Sequence, residues 1–241
     1  MKDIIKKIVL GKKASSDKYI NYLKKIGVKV GEDVTIYAPT KTFIDEQYPW
    51  MISIGNHVRI TEGVKILTHD YSWSVLKGLK NNHGGAILGS SGYVIIGDNV
   101  FIGMNSVITR NVKIGNNVII GVGSVVTRDC EENSVYARIP AKKIMDIDKF
   151  YAKRLEAQVK EAKELARRYY QKFGKKTKAE IFHEYFMLFS NEQTILDNII
   201  FNKKINLGGN REQSIEYVKK HTPKFKDYYE FMRYCFDEKE E

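Results

Sequence analysis

The chain has 241 residues, a net charge of +11, 43% hydrophobic residues and two cysteines. That length can bury a real core in one large domain or two small ones, and two cysteines make no disulfide framework. No run of about 18 apolar residues occurs, so no transmembrane helix is expected, and the opening MKDIIKKIVLGKK has too short an apolar run between lysines for a secretory signal.

The charge is unevenly spread: residues 1–29 hold nine Lys and two Asp, 30–146 eleven of each sign, and 147–241 twenty basic against sixteen acidic. A nucleic-acid protein would concentrate charge on its main folded unit, so no nucleic-acid partner is expected. Residues 1–29 form a basic N-terminal segment with Ile4, Ile5, Ile8 and Val9 among the lysines. Two readings stay open for it: contact with an anionic membrane surface, or a solvated helix whose apolar stripe packs on the body, which is the simpler. Within it, 15–26 reads as a helix capped by Ser15 or Ser16 and stopped by Gly27. A reduced, cytoplasmic protein, at the inner membrane face if the arm binds lipid, is the expectation.

From Val30 a branched aliphatic recurs every sixth residue: Val30, Ile36, Ile54, Ile60, Ile66, Ile96, Ile102, Ile108, Ile114, Ile120 and Val126. Neither a helix nor a simple strand has that period. A hexapeptide-repeat parallel β-helix does, with one repeat on each of three flat faces. The position four residues after each aliphatic is small or β-branched (Val34, Val58, Val64, Val100, Ser106, Val112, Val118, Ser124, Cys130), as an inward site beside a tight corner requires. Residues 30–146 are therefore expected to form one coil. Two stretches interrupt it. In 42–53 the aliphatics at 42 and 48 are missing, and Pro49 and Trp50 suggest an irregular corner. Residues 71–92 hold no repeat and read as an excursion loop, the kind of segment that carries function on a rigid scaffold. Residues 147–241 read as an α-helical extension, with helices at 147–173, 178–190, 193–202, 211–221 and 224–236.

Where the repeat stops stands Ile66-Leu67-Thr68-His69-Asp70. A histidine at the lip of a loop can take a proton near neutral pH, although a lone His is more often structural. There is no Gly-x-Ser-x-Gly element, phosphate loop or Cys cluster. A metal site of three histidines is not expected: His57 and His69 are twelve residues apart, which puts them on different faces, and His83 lies in the loop.

The run IGNHVRITEGVKILTHD, with IGDNVFIG, GVGSVVT and IPAKK following in that order, resembles the hexapeptide-repeat acetyltransferases, in particular the maltose/galactoside and capsular-polysaccharide O-acetyltransferases. The resemblance covers residues 15–145. It implies a mainly β protein, a left-handed parallel β-helix with a short N-terminal helix and a helical C-terminal extension. It further implies a homotrimer that binds acetyl-CoA between subunits, uses no metal, and acetylates a sugar or polysaccharide-precursor hydroxyl. His69 matches the general base, and the backbone N–H of Met104 the oxyanion contact. Asp70, Asp45 and Glu62 are the candidate carboxylates to orient His69. Phe101 falls where the family often has Trp; Val122, Ser124 and Thr127 align with the pantetheine-binding edge, and Pro140 and Lys142 with the element that meets adenine and phosphates. Lys143 would add charge there, and Arg138 stands where the family usually has Gly. The family's sugar-binding Asn and Asp have no clear match, which favours an acceptor other than maltose. An amino-sugar-nucleotide N-acetyltransferase, a xenobiotic acetyltransferase and a non-catalytic trimeric scaffold are the other readings.

Overall fold

The computed structural model describes residues 10–237. Ile4, Ile5, Ile8 and Val9, on which the membrane-contact reading rests, lie outside the described residues. The chain divides into two compact units after Phe150.

In the first unit a 3₁₀ turn, Gly11–Lys13, is followed by the helix Ser16–Ile26. Ser15 caps it by accepting from the Lys18 N–H at 3.3 Å, and Gly27 ends it at φ +112°. The chain then winds round three faces. The first stacks β1 (Lys29–Val30), β4 (Ile52–Ile54), β7 (Val94–Ile96) and β10 (Val112–Ile114). The second stacks β2 (Thr35–Ile36), β5 (Arg59–Ile60), β8 (Phe101–Ile102), β11 (Val118–Ile120), β13 (Ser134–Ala137) and β14 (Lys142–Asp146). The third stacks β3 (Phe43–Ile44), β6 (Lys65–Ile66), β9 (Val107–Ile108) and β12 (Val125–Val126). All pairings are parallel except β13 with β14. Val94 pairs with Val112, Phe101 with Ile119 and Val107 with Val125, each eighteen residues on, one circuit of the prism.

The six-residue register is the core. Ile36, Ile54, Ile60, Ile66, Ile96, Ile102, Ile108, Ile114, Ile120 and Val126 are buried, as are Val34, Val58, Val64, Val100, Ser106, Val112, Val118, Ser124 and Cys130 at the second inward position. Val30, at the open first coil, is half-buried. Each fully buried aliphatic contributes about 1.5–3 kcal/mol. Because coils stack so closely, the corners admit little bulk. A Cβ on Gly103 would sit 2.6 Å from the Val122 nitrogen and 2.8 Å from the Ile120 oxygen, both backbone atoms of the next coil. Gly103→Ala is expected to lower stability by about 1–3 kcal/mol, read as a depressed melting temperature.

The excursion leaves and rejoins this coil without disturbing it. Ser53 pairs with Ile95, Arg59 with Phe101 and Lys65 with Val107, so the register resumes on all three faces. The neck is clamped: His69 bridges Ser91, the Asp70 N–H donates to the Ser90 carbonyl (3.3 Å), and the Gly92 N–H donates to Thr68 (2.8 Å). Inside the excursion a short helix forms over Trp73–Lys77.

The second unit is helical and has its own aromatic core, including Phe182, Phe186, Phe189, Phe201, Phe225 and Phe231. The helix Ile147–Phe173 ends at Gly174, φ +67°. The single helix expected over 178–190 is instead two 3₁₀ turns, Ala179–Phe182 and Phe186–Leu188. Leu188, Phe189 and Ser190 are buried consecutively, which one helix face cannot achieve. Their neighbourhood also draws carbonyls elsewhere: Leu188 accepts from the Phe225 N–H at 2.9 Å, and Met187 meets His221 Nε2 at 2.6 Å. The helix expected over 193–202 is two, Glu192–Asp197 and Ile199–Ile205, because Asn198 is extended and its side chain caps the second. Arg211–Lys220 and Tyr228–Phe236 complete the unit. Among the described residues no helix is long and apolar enough to cross a membrane.

Candidate active site

His69 ends the strand run of β6 at the corner between the third and first faces, just before the excursion. Its Nδ1 lies 2.5 Å from Asp45 Oδ2. Asp45 is 2% exposed and the His69 side chain 15% exposed. The same carboxylate oxygen accepts from the Thr68 N–H (2.9 Å) and the Thr68 hydroxyl (2.6 Å), while Oδ1 accepts from the Gln47 N–H (3.0 Å). Burial opposes the charge on Asp45. The hydrogen bonds from the Thr68 hydroxyl, the Gln47 and Thr68 amides and the His69 ring outweigh it and hold the carboxyl below its ordinary pKa. A carboxylate can only accept, so the shared proton belongs to Nδ1, and the neutral ring keeps its lone pair on Nε2.

Stacking of the coil brings this pair together. Phe43 pairs with Lys65 and Ile44 with Ile66, and the Asp45 N–H donates to the Ile66 carbonyl at 3.0 Å. Asp45 therefore turns out of β3 beside Thr68 and His69. The other two candidate carboxylates are corrected. Asp70 holds the Ser72 N–H (3.0 Å) and hydroxyl (2.5 Å) and receives Arg110 through Nε (3.2 Å) and Nη2 (3.1 Å). Adjacent strand residues point to opposite sides, so Asp70 braces the loop neck and does not contact His69. Glu62 pairs with Lys41 at 2.6 Å.

A cleft of about 270 Å³ opens at this corner, lined by Leu67, His69, Asp70, Thr109 and Arg110. On either side of His69 the rings run Trp50, Tyr48, His69, Tyr71, Trp73, with successive centroids 5.7, 5.7, 5.3 and 6.0 Å apart. Sequence reasoning missed these four aromatics as site residues. The available signal was that they fall in the two interruptions of the repeat.

The remaining candidates are scattered. Met104 is 44% exposed at the corner between the second and third faces, where its carbonyl accepts from the Gly123 N–H at 2.8 Å. Val122 is exposed at that same corner, and Phe101 is exposed on the second face. Thr127 is exposed at the His69 corner. Within one chain, His69 and Met104 thus lie at opposite ends of the third face.

The Ser124 side chain is buried, its hydroxyl donates to the Gly121 carbonyl (2.7 Å), and its carbonyl accepts from the Val107 N–H (2.8 Å). Arg138 is exposed and left-handed, φ +90°, a conformation glycine adopts at least cost. A cis peptide joins Ile139 to Pro140, and Pro140 and Lys142 are exposed. Lys143 is exposed and lies in an ion-pair cluster. Its ammonium is held by Asp146 (2.8 Å) and Glu131 (3.1 Å), which raise its pKa. His57 is engaged with Asp33 at 2.5 Å, beside Arg59. Among the described residues no three His, Cys, Asp or Glu side chains gather as a metal would need.

Residues 93–128 match the family described as bacterial transferase hexapeptide (six repeats). The chain is 43% identical over 138 residues to protein CapG of Staphylococcus aureus, covering 56% of this chain and 74% of that protein. The chain belongs to the bacterial transferase hexapeptide family. Its prism is accordingly the left-handed parallel β-helix of hexapeptide repeats. Similar solved structures include a hexapeptide-repeat acetyltransferase from Vibrio cholerae, 17% identical over 61% of this chain and 89% of that one, with a TM-score of 0.45. A maltose O-acetyltransferase from Clostridium difficile 630 is 25% identical over 54% of this chain and 75% of that one, with a TM-score of 0.38.

Proposed function

We propose that this member of the transferase hexapeptide family moves an acetyl group from acetyl-CoA to a sugar hydroxyl in the assembly of a bacterial surface polysaccharide. The observation that carries the reading is the His69–Asp45 pair, with Asp45 buried under four hydrogen bonds and Nε2 left as the acceptor nitrogen at the mouth of a cleft. The resemblance of the chain's motifs to the capsular-polysaccharide O-acetyltransferases supports a surface-polysaccharide setting. Acetyl-CoA would supply a thioester carbonyl for the acceptor oxygen to attack. His69 Nε2 takes the acceptor's hydroxyl proton as that oxygen bonds to carbon, and the Asp45 carboxylate stabilises the imidazolium. The Met104 N–H donates to the carbonyl oxygen as negative charge builds there. His69 then returns its proton to the departing sulfur, and the ring is reset.

The exposed surfaces of Met104, Val122 and Phe101, with Arg138 and Lys142 beyond, fit a pantetheine arm that ends in phosphates. Because Met104 and His69 stand at opposite ends of one face, a site using both is built from two copies, which a closed homotrimer supplies three times.

The test follows saccharide acetylation and thiol release together, using purified protein and acetyl-CoA. Absence of transfer to any sugar, polysaccharide repeat or nucleotide sugar would overturn the reading. Two inactive variants probe the shared site: His69→Ala, and Met104→Pro, which removes the N–H. Refolded together in equal amounts, they should regain about a quarter of the sites by random assortment in the trimer. No regain would place both groups in one chain.

A further inference from the structure

Resting on the acetyl-transfer reading, we infer that Trp50, Tyr48, Tyr71 and Trp73 form the acceptor platform, and that it takes an uncharged pyranose ring stacked beside His69. Trp50 is 67% and Tyr71 61% exposed, and in the ring series they join His69 in one line of aromatic surface that a ligand could cover. The rings meet edge-to-face on both sides of His69, with interplanar angles of 84° to Tyr48 and 80° to Tyr71. The imidazole therefore sits at the centre of the collar.

The collar is amphipathic in the way a pyranose is. Its rings offer apolar surface to a C–H face. Gln47 joins the two phenols, donating from Nε2 to the Tyr48 oxygen (3.1 Å) and accepting from the Tyr71 hydroxyl at Oε1 (3.4 Å), so polar groups lie where a sugar's hydroxyl edge would fall. Charge decides between neutral and acidic sugars. Arg110, which lines the cleft with His69, gives two hydrogen bonds to Asp70. Among the described residues, the cation that lines the His69 cleft is thus matched by a carboxylate, and an incoming uronate would have to displace this pair.

Both tryptophans of the chain stand in this collar, so intrinsic emission of the full protein reports on it. Titration with methyl β-D-glucopyranoside, methyl β-D-galactopyranoside and N-acetyl-D-glucosamine is expected to change emission saturably for at least one of them. Sodium D-glucuronate should bind roughly tenfold or more weakly. Tyr71→Ala should weaken the neutral sugar roughly tenfold, Tyr71→Phe should keep its affinity, and His69→Gln should still bind it. No saturable change with any neutral sugar, or glucuronate binding as tightly, overturns the platform. It is overturned too if Tyr71→Ala leaves affinity intact and instead dissociates the oligomer in sedimentation, because the collar is then a contact between copies. Sugar binding without acetyl transfer sinks the proposed reaction and leaves the platform; transfer with unresponsive emission sinks the platform alone.

Discussion

His69→Ala is expected to lower the turnover of acetyl transfer by about 10²–10⁴-fold, the range for loss of a positioned general base. The fold should survive it, because His69 is the outermost member of its network. Thr68 keeps both of its bonds to Asp45 without the ring, and Gln47 keeps its own. The coil register through Ile66 and Ile108 is untouched. Acetyl-CoA affinity should also hold, since Met104, Val122 and Lys142 are unaffected. Calorimetric titration with CoA, sedimentation and turnover on one preparation separate these quantities. Full turnover in the variant would remove His69 from the chemistry, whereas loss of CoA binding together with turnover would make it a structural residue.

The first unit was legible because a parallel β-helix repeats one structural demand, an aliphatic on each flat face, at a spacing no other element uses. Ile60 and Ile102 announce their positions whatever their neighbours are, and both are fully buried on the second face. His69 was legible for a related reason: the repeat stops there, and a chain leaving a rigid wall exposes what stands at the exit.

Its partner was less so. Asp45, Asp70 and Glu62 are equally good carboxylates on paper. The choice falls to Asp45 because β3 lies directly against β6, a relation set by the irregular stretch after Ile44 that the six-residue period does not describe. Asp70 is nearest in sequence, but strand alternation turns it toward Ser72 and Arg110. Ser124 was legible as an inward residue, since the second inward site of each repeat buries the side chain, as it does for Ser106. In the second unit, helical spacing was a weaker guide around Phe189. There the chain is wrapped by core on several sides, and its carbonyls are committed to other segments.

Asp45→Asn should cost nearly as much turnover as loss of His69, up to about 10⁴-fold, by the argument that a carboxylate fixes the tautomer of a histidine base. The native oxygen facing Thr68 and His69 accepts three hydrogen bonds and donates none. A carboxamide placed there either turns its NH₂ toward the Thr68 donors, or keeps its oxygen toward them and loses the charge that stabilises the imidazolium. In the first case the ring's proton moves to Nε2, and the nitrogen facing the acceptor can no longer take one. The same substitution should lower stability by about 1–3 kcal/mol at neutral pH, the cost of mismatched buried partners.

That stability difference has a defined pH dependence. The folded-state pKa of Asp45 is depressed, so its contribution is complete above the ordinary carboxylate value of about 4 and fades as pH falls through the lower folded value. Melting curves of the two proteins should therefore differ at pH 7 and converge in acid. A gap that persists unchanged below the folded pKa would mean that shape accounts for it and charge does not. Unimpaired turnover in Asp45→Asn would leave the buried carboxylate without a part in catalysis.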